Sequence, residues 1–189
     1  SYSIIAESKK LLILGDSISA GSGLKESENW VQLLENSLRK SGKELQIINS
    51  SISGDTTIGG LSRIESDLEE HKPNYVLIEL GGNDALRGYP INKIKSNLLK
   101  IIDTSLQAKA NPIIMQIRIP PNYGKNYVAA FESIYSEIAE EKNIPILTFL
   151  LEKVALNKSL MQLDGIHPNQ KAQQIIASQV EQELLSILK

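Results

Sequence analysis

Cysteine is absent from the 189-residue chain, which excludes disulfides, thiolate catalysis and cysteine-ligated zinc. That absence does not identify a redox compartment. Net charge is scarce as well. Twenty basic side chains against 22 acidic ones leave −2, and no block of like charge offers a nucleic-acid footprint. No apolar run approaches the roughly 18 to 20 residues that a membrane span needs. Repeats, low-complexity tracts and linkers are missing too. Residues 1–189 therefore read as one domain, long enough to bury roughly 70% of its unfolded surface. The chain opens on Ser1-Tyr2-Ser3 rather than methionine, a start that a removed signal peptide or a cloning scar would leave equally well.

Five short apolar runs are present, at 11–14, 45–48, 75–80, 112–117 and 144–149. They are almost continuously apolar rather than alternating, as parallel strands covered on both faces are. Amphipathic stretches separate them. Trp30, Leu33, Leu34 and Leu38 share one helical face; Ile91, Ile94, Leu98 and Ile101 share another. Ala172, Ile175, Ile176, Val180 and Leu184 form the apolar stripe of a final helix. This alternation predicts an α/β fold, a flavodoxin-like three-layer α/β/α sandwich. Its five-stranded parallel sheet should have the order 2-1-3-4-5. Ligands in such sheets sit beyond the carboxyl ends of the strands. Ser17 follows strand one, Gly54 strand two, Asn83 strand three, and Asp164 and His167 strand five, so all of them belong to that edge.

His167 is one of only two histidines, and with Ser17 and Asp164 it supplies a nucleophile, a base and an orienting carboxylate. A free hydroxyl is barely nucleophilic until a base takes its proton, and three-residue spacing lets Asp164 reach the imidazole. Gly54 and Asn83, with the Ser17 amide, are candidate oxyanion donors. Each also has a plainer reading. Ser17 suits a turn, Asp164 and Pro168 suit a helix entry, and Gly54 and Asn83 are turn formers. Convergence in the order Ser…Asp…His favours the chemical reading. No ligand spacing demands a metal from Asp16, Asp84, Asp164 and His167. Asp16 and Asp84 are expected instead to hold the nucleophile loop and Asn83. His71, at a helix exit, reads as a solvated surface residue.

Two familiar signatures fail. Gly15-Asp16-Ser17-Ile18-Ser19 lacks the last glycine of a G-x-S-x-G elbow, and Glu26 stands where a dinucleotide fingerprint needs glycine. A non-catalytic flavodoxin-like module is the rival from another class. A receiver of that kind, however, needs paired acids beside Asp16 and a late lysine that this chain does not place.

Gly15-Asp16-Ser17-Ile18-Ser19, Gly54, Gly81-Gly82-Asn83-Asp84 and Asp164-Gly165-Ile166-His167 resemble the four blocks of the SGNH or GDSL hydrolases. Ile18 stands where leucine is usual, an apolar exchange. The stretches 51–57, 79–84, 117–124 and 164–169 resemble the bacterial arylesterase, acyl-CoA thioesterase I and lysophospholipase subgroup. The resemblance implies a periplasmic or secreted serine esterase acting on small acyl esters or thioesters, with no cofactor. Ser17, Gly54, Asn83 and His167 would be its name-giving residues and Asp164 would complete the triad. Within hydrolases, a carbohydrate O-acetylesterase is the alternative. The loops 85–90 and 119–127 are expected to shape specificity, with Leu86, Ile119 and Tyr123 as candidate acyl-chain contacts and Arg87 as a candidate for an anionic substrate group.

Overall fold

The computed structural model describes residues 8–188; Ser1-Tyr2-Ser3 lies outside the described residues. Five strands form one sheet: β1 (Lys9–Gly15), β2 (Leu45–Asn49), β3 (Tyr75–Glu79), β4 (Asn111–Met115) and β5 (Ile146–Leu147). All neighbours pair in parallel, in the order β2-β1-β3-β4-β5. This is the order expected from the alternation of apolar runs and amphipathic stretches.

Side chains alternate across the sheet, and both faces are covered. Leu12, Leu14, Val76, Ile78 and Ile114 point into one apolar layer with α3 (Thr57–His71), α5 (Ile91–Gln107) and α6 (Lys125–Lys142). Leu11, Ile13, Leu77, Ile113 and Met115 point into the other, against α2 (Trp30–Lys40) and α7 (Gln170–Ile187). Covering both faces explains why, beyond Lys9, Lys10 and Asn111 at their leading ends, the central strands are buried throughout. Each fully buried leucine or isoleucine contributes about 1.5–3 kcal/mol. Two further helices are short: α1 (Ser17–Ala20) after β1 and α4 (Gly82–Leu86) after β3. Both begin at the carboxyl edge.

Three details differ from the sequence reading. β5 has two residues, not six: Pro145 accepts from the Ile114 amide but cannot donate, and the Thr148 amide turns to Glu183 Oε2, so only Ile146 and Leu147 form the strand. Ile146 lies on an exposed edge. Ile175 sits at the rim of the α7 stripe and is exposed, while Ile176 and Val180 are buried. Finally, α7 is capped by Asn169, whose Oδ1 accepts from the amides of Lys171 and Ala172. Asp164 and Pro168 do not cap or start that helix, so the helix-entry reading of the pair is withdrawn.

Candidate active site

β1 runs straight into α1. Asp16 is the cap of that helix, its Oδ1 accepting from the Ile18 amide at 3.0 Å. The cap leaves Ser17 at the first helical position, where backbone N–H groups have no intrahelical partner. Neither the Ser17 amide nor the Gly54 amide has an acceptor among the described residues.

His167 Nε2 lies 2.9 Å from Ser17 Oγ, joining residues 150 apart in the chain. His167 Nδ1 lies 2.6 Å from Asp164 Oδ2. Asp164 Oδ1 accepts from the amides of Ile166 (2.9 Å) and His167 (3.0 Å), so one carboxylate shapes the turn and grips the ring. The His167 bonds hold Asp164 down at about 2, from an ordinary 3.8, its bond to the ring first and its amide next. An ionised Asp164 accepts only, so Nδ1 carries the ring proton and Nε2 is free to accept from Ser17.

The loop bearing this pair is tied to the nucleophile loop by Gln162. Its Nε2 donates to Ser22 O at 2.8 Å and to Pro168 O at 3.0 Å, and its amide donates to His167 O at 2.7 Å. Gln173, fully buried on α7, accepts from the Trp30 amide at 3.0 Å.

Asn83 lies on α4, just past the end of β3. Its Nδ2 donates to Asp55 O at 2.9 Å and sits 3.4 Å from Asp16 Oδ2, a long contact. Gly54 has φ of 80°, which a side chain would strain. A Cβ there would meet nothing within 4 Å, so the space on that side of the glycine is open. Beneath this turn Arg63 pairs with Asp55 (2.9 Å) and Asp67 (3.3 Å), all three largely buried.

Asp16 does hold the nucleophile loop, as expected. Asp84 does not touch Asn83 through its carboxylate, which takes the amide and hydroxyl of Thr57 and so fixes α3 against α4. Burial raises Asp84. The His71 imidazole, half-buried rather than solvated, sits beside Glu70. Leu86 and Tyr123 are exposed, whereas Ile119 is packed into the apolar layer beside α6. Arg87 donates to Gly54 O at 3.4 Å, and Tyr127 Oη donates to Tyr89 O at 2.7 Å, so the 85–90 loop is held at both ends. Among the described residues no three metal-ligating side chains converge.

Three residues escaped the sequence reading: Glu79, Arg63 and Gln162. Glu79 left a visible sign, an acid closing an otherwise apolar strand. Arg63 and Asp67 left the weaker sign of an i,i+4 pair. Gln162 left none, because its partners are backbone carbonyls.

Residues 13–175 match the GDSL-like lipase/acylhydrolase family. An arylesterase of Vibrio mimicus is 47% identical over 181 residues, covering 96% of this chain and 90% of the relative. The thioesterase 1/protease 1/lysophospholipase L1 of Escherichia coli K12 is 44% identical over 179 residues, covering 95% and 85%. The crystal structure of the psychrotrophic esterase EstA from Pseudoalteromonas, inhibited by monoethylphosphonate, superposes with a TM-score of 0.93 at 40% identity, covering 95% and 98%. With a matching family, matching relatives and a matching fold, the chain belongs to the GDSL-like lipase/acylhydrolase family.

Proposed function

We propose that this serine esterase of the SGNH family works through a Ser17-His167-Asp164 triad and an acyl-enzyme. The observation that carries the reading is the unbroken relay of 2.6 Å and 2.9 Å from Asp164 through His167 to Ser17. Ser17 Oγ attacks the acyl carbon as His167 Nε2 takes its proton. Asp164 keeps the ring in the required tautomer and stabilises the imidazolium. The oxyanion that develops accepts from the free amides of Ser17 and Gly54 and from Asn83 Nδ2. One Nδ2 hydrogen stays on Asp55 O; the other exchanges its long contact with Asp16 for the oxyanion. On collapse His167 protonates the departing alcohol or thiol, and a water then repeats the sequence on the acyl-enzyme.

The substrates proposed are carboxylic esters and thioesters: aryl esters, acyl-CoA-type thioesters and lysophospholipids. Relatives named arylesterase and thioesterase 1/lysophospholipase L1, at 47% and 44% identity, support that range. Leu86 and Tyr123, exposed on the two loops, are proposed to contact the acyl chain. Ile119 would do so only from beneath, as packing. The 189 residues are proposed to act as one SGNH-hydrolase-like domain with no metal or cofactor, and family resemblance favours a periplasmic or secreted enzyme.

The test is hydrolysis of p-nitrophenyl esters from acetyl to palmitoyl by the parent and by Ser17→Ala, with fluorophosphonate labelling of Ser17. Turnover lost by orders of magnitude in a folded Ser17→Ala supports the mechanism, and ordinary turnover in that variant sinks it. A profile favouring acetyl, with no gain at greater length, would point to a deacetylase instead.

A further inference from the structure

Beneath the nucleophile lies a second acidic pair with no part in the relay. Glu79 closes β3 opposite Gly15 of β1 and is 1% exposed; Asp16 beside it is 6% exposed. The close approach depends on Gly15, because a Cβ there would stand 2.8 Å from Glu79 Oε2. Glu79 Oε2 accepts from Ser19 Oγ at 2.6 Å and from the Asp16 amide at 3.4 Å. Glu79 therefore sits against the backbone of Asp16, whose own carboxyl is buried beside it.

Two buried carboxyl groups this close repel each other when both are ionised, so one of them is favoured to keep its proton. No lysine or arginine pairs with either acid among the described residues, and a buried pair of anions without a cation is strongly disfavoured. Asp16 has the better claim to the charge. It accepts from the Ile18 amide and faces the His167 imidazole, with the like charge of Asp55 working against it. Glu79 has only neutral donors, and the other ionisable groups facing it are Asp16 and the phenol of Tyr135 on α6, which itself faces Asp84.

We propose that Glu79 is a positioning residue that works as a neutral acid. Its O–H donates to Asp16 and holds that carboxylate as the cap of α1, with little claim left on Asn83 Nδ2. Ser17 and the free hydrogen of Asn83 are thereby kept in place for the acyl group. Burial, then the Asp16 charge, pushes Glu79 well above the usual glutamate range, as a standing proton requires. Burial likewise raises Asp16, to about 6 from 3.8. The inference rests on the Ser17 and Asn83 roles proposed above.

A neutral amide reproduces both functions of a protonated carboxyl, one acceptor and one donor. Glu79→Gln is therefore expected to keep kcat within about threefold of the parent, and Glu79→Leu to lose about tenfold or more with KM little changed. Thermal melting gives a second reading. A carboxyl raised in the folded state contributes its full stability below the unfolded value near 4.5 and loses it as pH climbs toward the folded one. An amide does not titrate. The melting temperature of Glu79→Gln should thus gain on the parent steadily as pH rises above about 5. Three results overturn the proposal: Glu79→Gln as damaged as Glu79→Leu, Glu79→Leu as active as the parent, or a melting gap flat with pH. The melting series needs no turnover. If Ser17 of the parent resists fluorophosphonate, the triad reading fails while the state of Glu79 is still decided.

Discussion

Replacing Asn83 by alanine removes one side-chain donor and leaves the two backbone donors in place. An oxyanion bond made only in the transition state should appear in kcat and not in KM. The loss expected for one such donor is about 10²- to 10³-fold, or about 2.7–4 kcal/mol. The same substitution deletes the 2.9 Å bond to Asp55 O, which ties α4 to the Gly54 turn. A net hydrogen bond contributes about 1 kcal/mol, and Asn83 is half-buried, so water can satisfy the carbonyl left behind. A fall of about 2–4 °C in melting temperature follows for a chain of this length. The two effects thus separate: a large kinetic loss beside a small thermal one. The assay is kcat and KM on p-nitrophenyl butyrate, with melting followed on the same samples. Asn83→Asp is the control, since it keeps the shape, removes the donor and adds a negative charge beside Asp16. A folded Asn83→Ala with kcat within about threefold of the parent would falsify the oxyanion role.

Two further outcomes follow from neighbouring contacts. Asp164→Asn should lower kcat by about 10³- to 10⁴-fold, because an amide no longer enforces the ring tautomer. Its melting deficit should be complete above about pH 4 and close as pH falls through about 2, where the parent's own carboxylate is neutralised. A deficit unchanged down to pH near 2 would contradict the depressed Asp164. Arg63→Ala strands Asp55 and Asp67, 11% and 17% exposed, and should cost about 2 kcal/mol, read as a fall of about 4–8 °C in melting. Its kcat should fall less than that of Asn83→Ala, since the Asp55 carbonyl is disturbed rather than lost; an equal or larger fall would place Arg63 in the reaction itself.

Much of this architecture was legible because burial on both faces leaves a plain mark. Residues 11–14 and 75–78 have no polar interruption, and the spacing of such runs left room for crossover helices, hence a parallel sheet. Placement at the carboxyl edge then brought Ser17, Gly54, Asn83, Asp164 and His167 together before any distance was known. Two things were harder to see. The two-residue β5 is short because Pro145 lacks a donor and the Thr148 amide turns to Glu183, and hydrophobicity records neither. The supports under the site were hidden because their partners are backbone carbonyls or distant acids: Gln162 on Ser22 and Pro168, Arg63 on Asp55, Glu79 on Asp16. Single-residue properties show what a side chain is able to do, whereas these three act by where they are anchored.

The relay between His167 and Ser17 closes a loop of 150 residues, and the strand pairs of the sheet are non-local too, though of shorter reach. Helices form from neighbouring residues in microseconds, but contacts of such long reach must wait for the chain entropy of closure to be overcome. Recovery from denaturant should therefore proceed in an order set by topology. Helical signal returns early, the parallel sheet follows, and hydrolysis comes last, when the segment ahead of α7 docks beside α1. The Ser17 hydroxyl is thus a reporter on the final step of folding, and ester turnover during refolding times the moment at which the two ends of that loop meet.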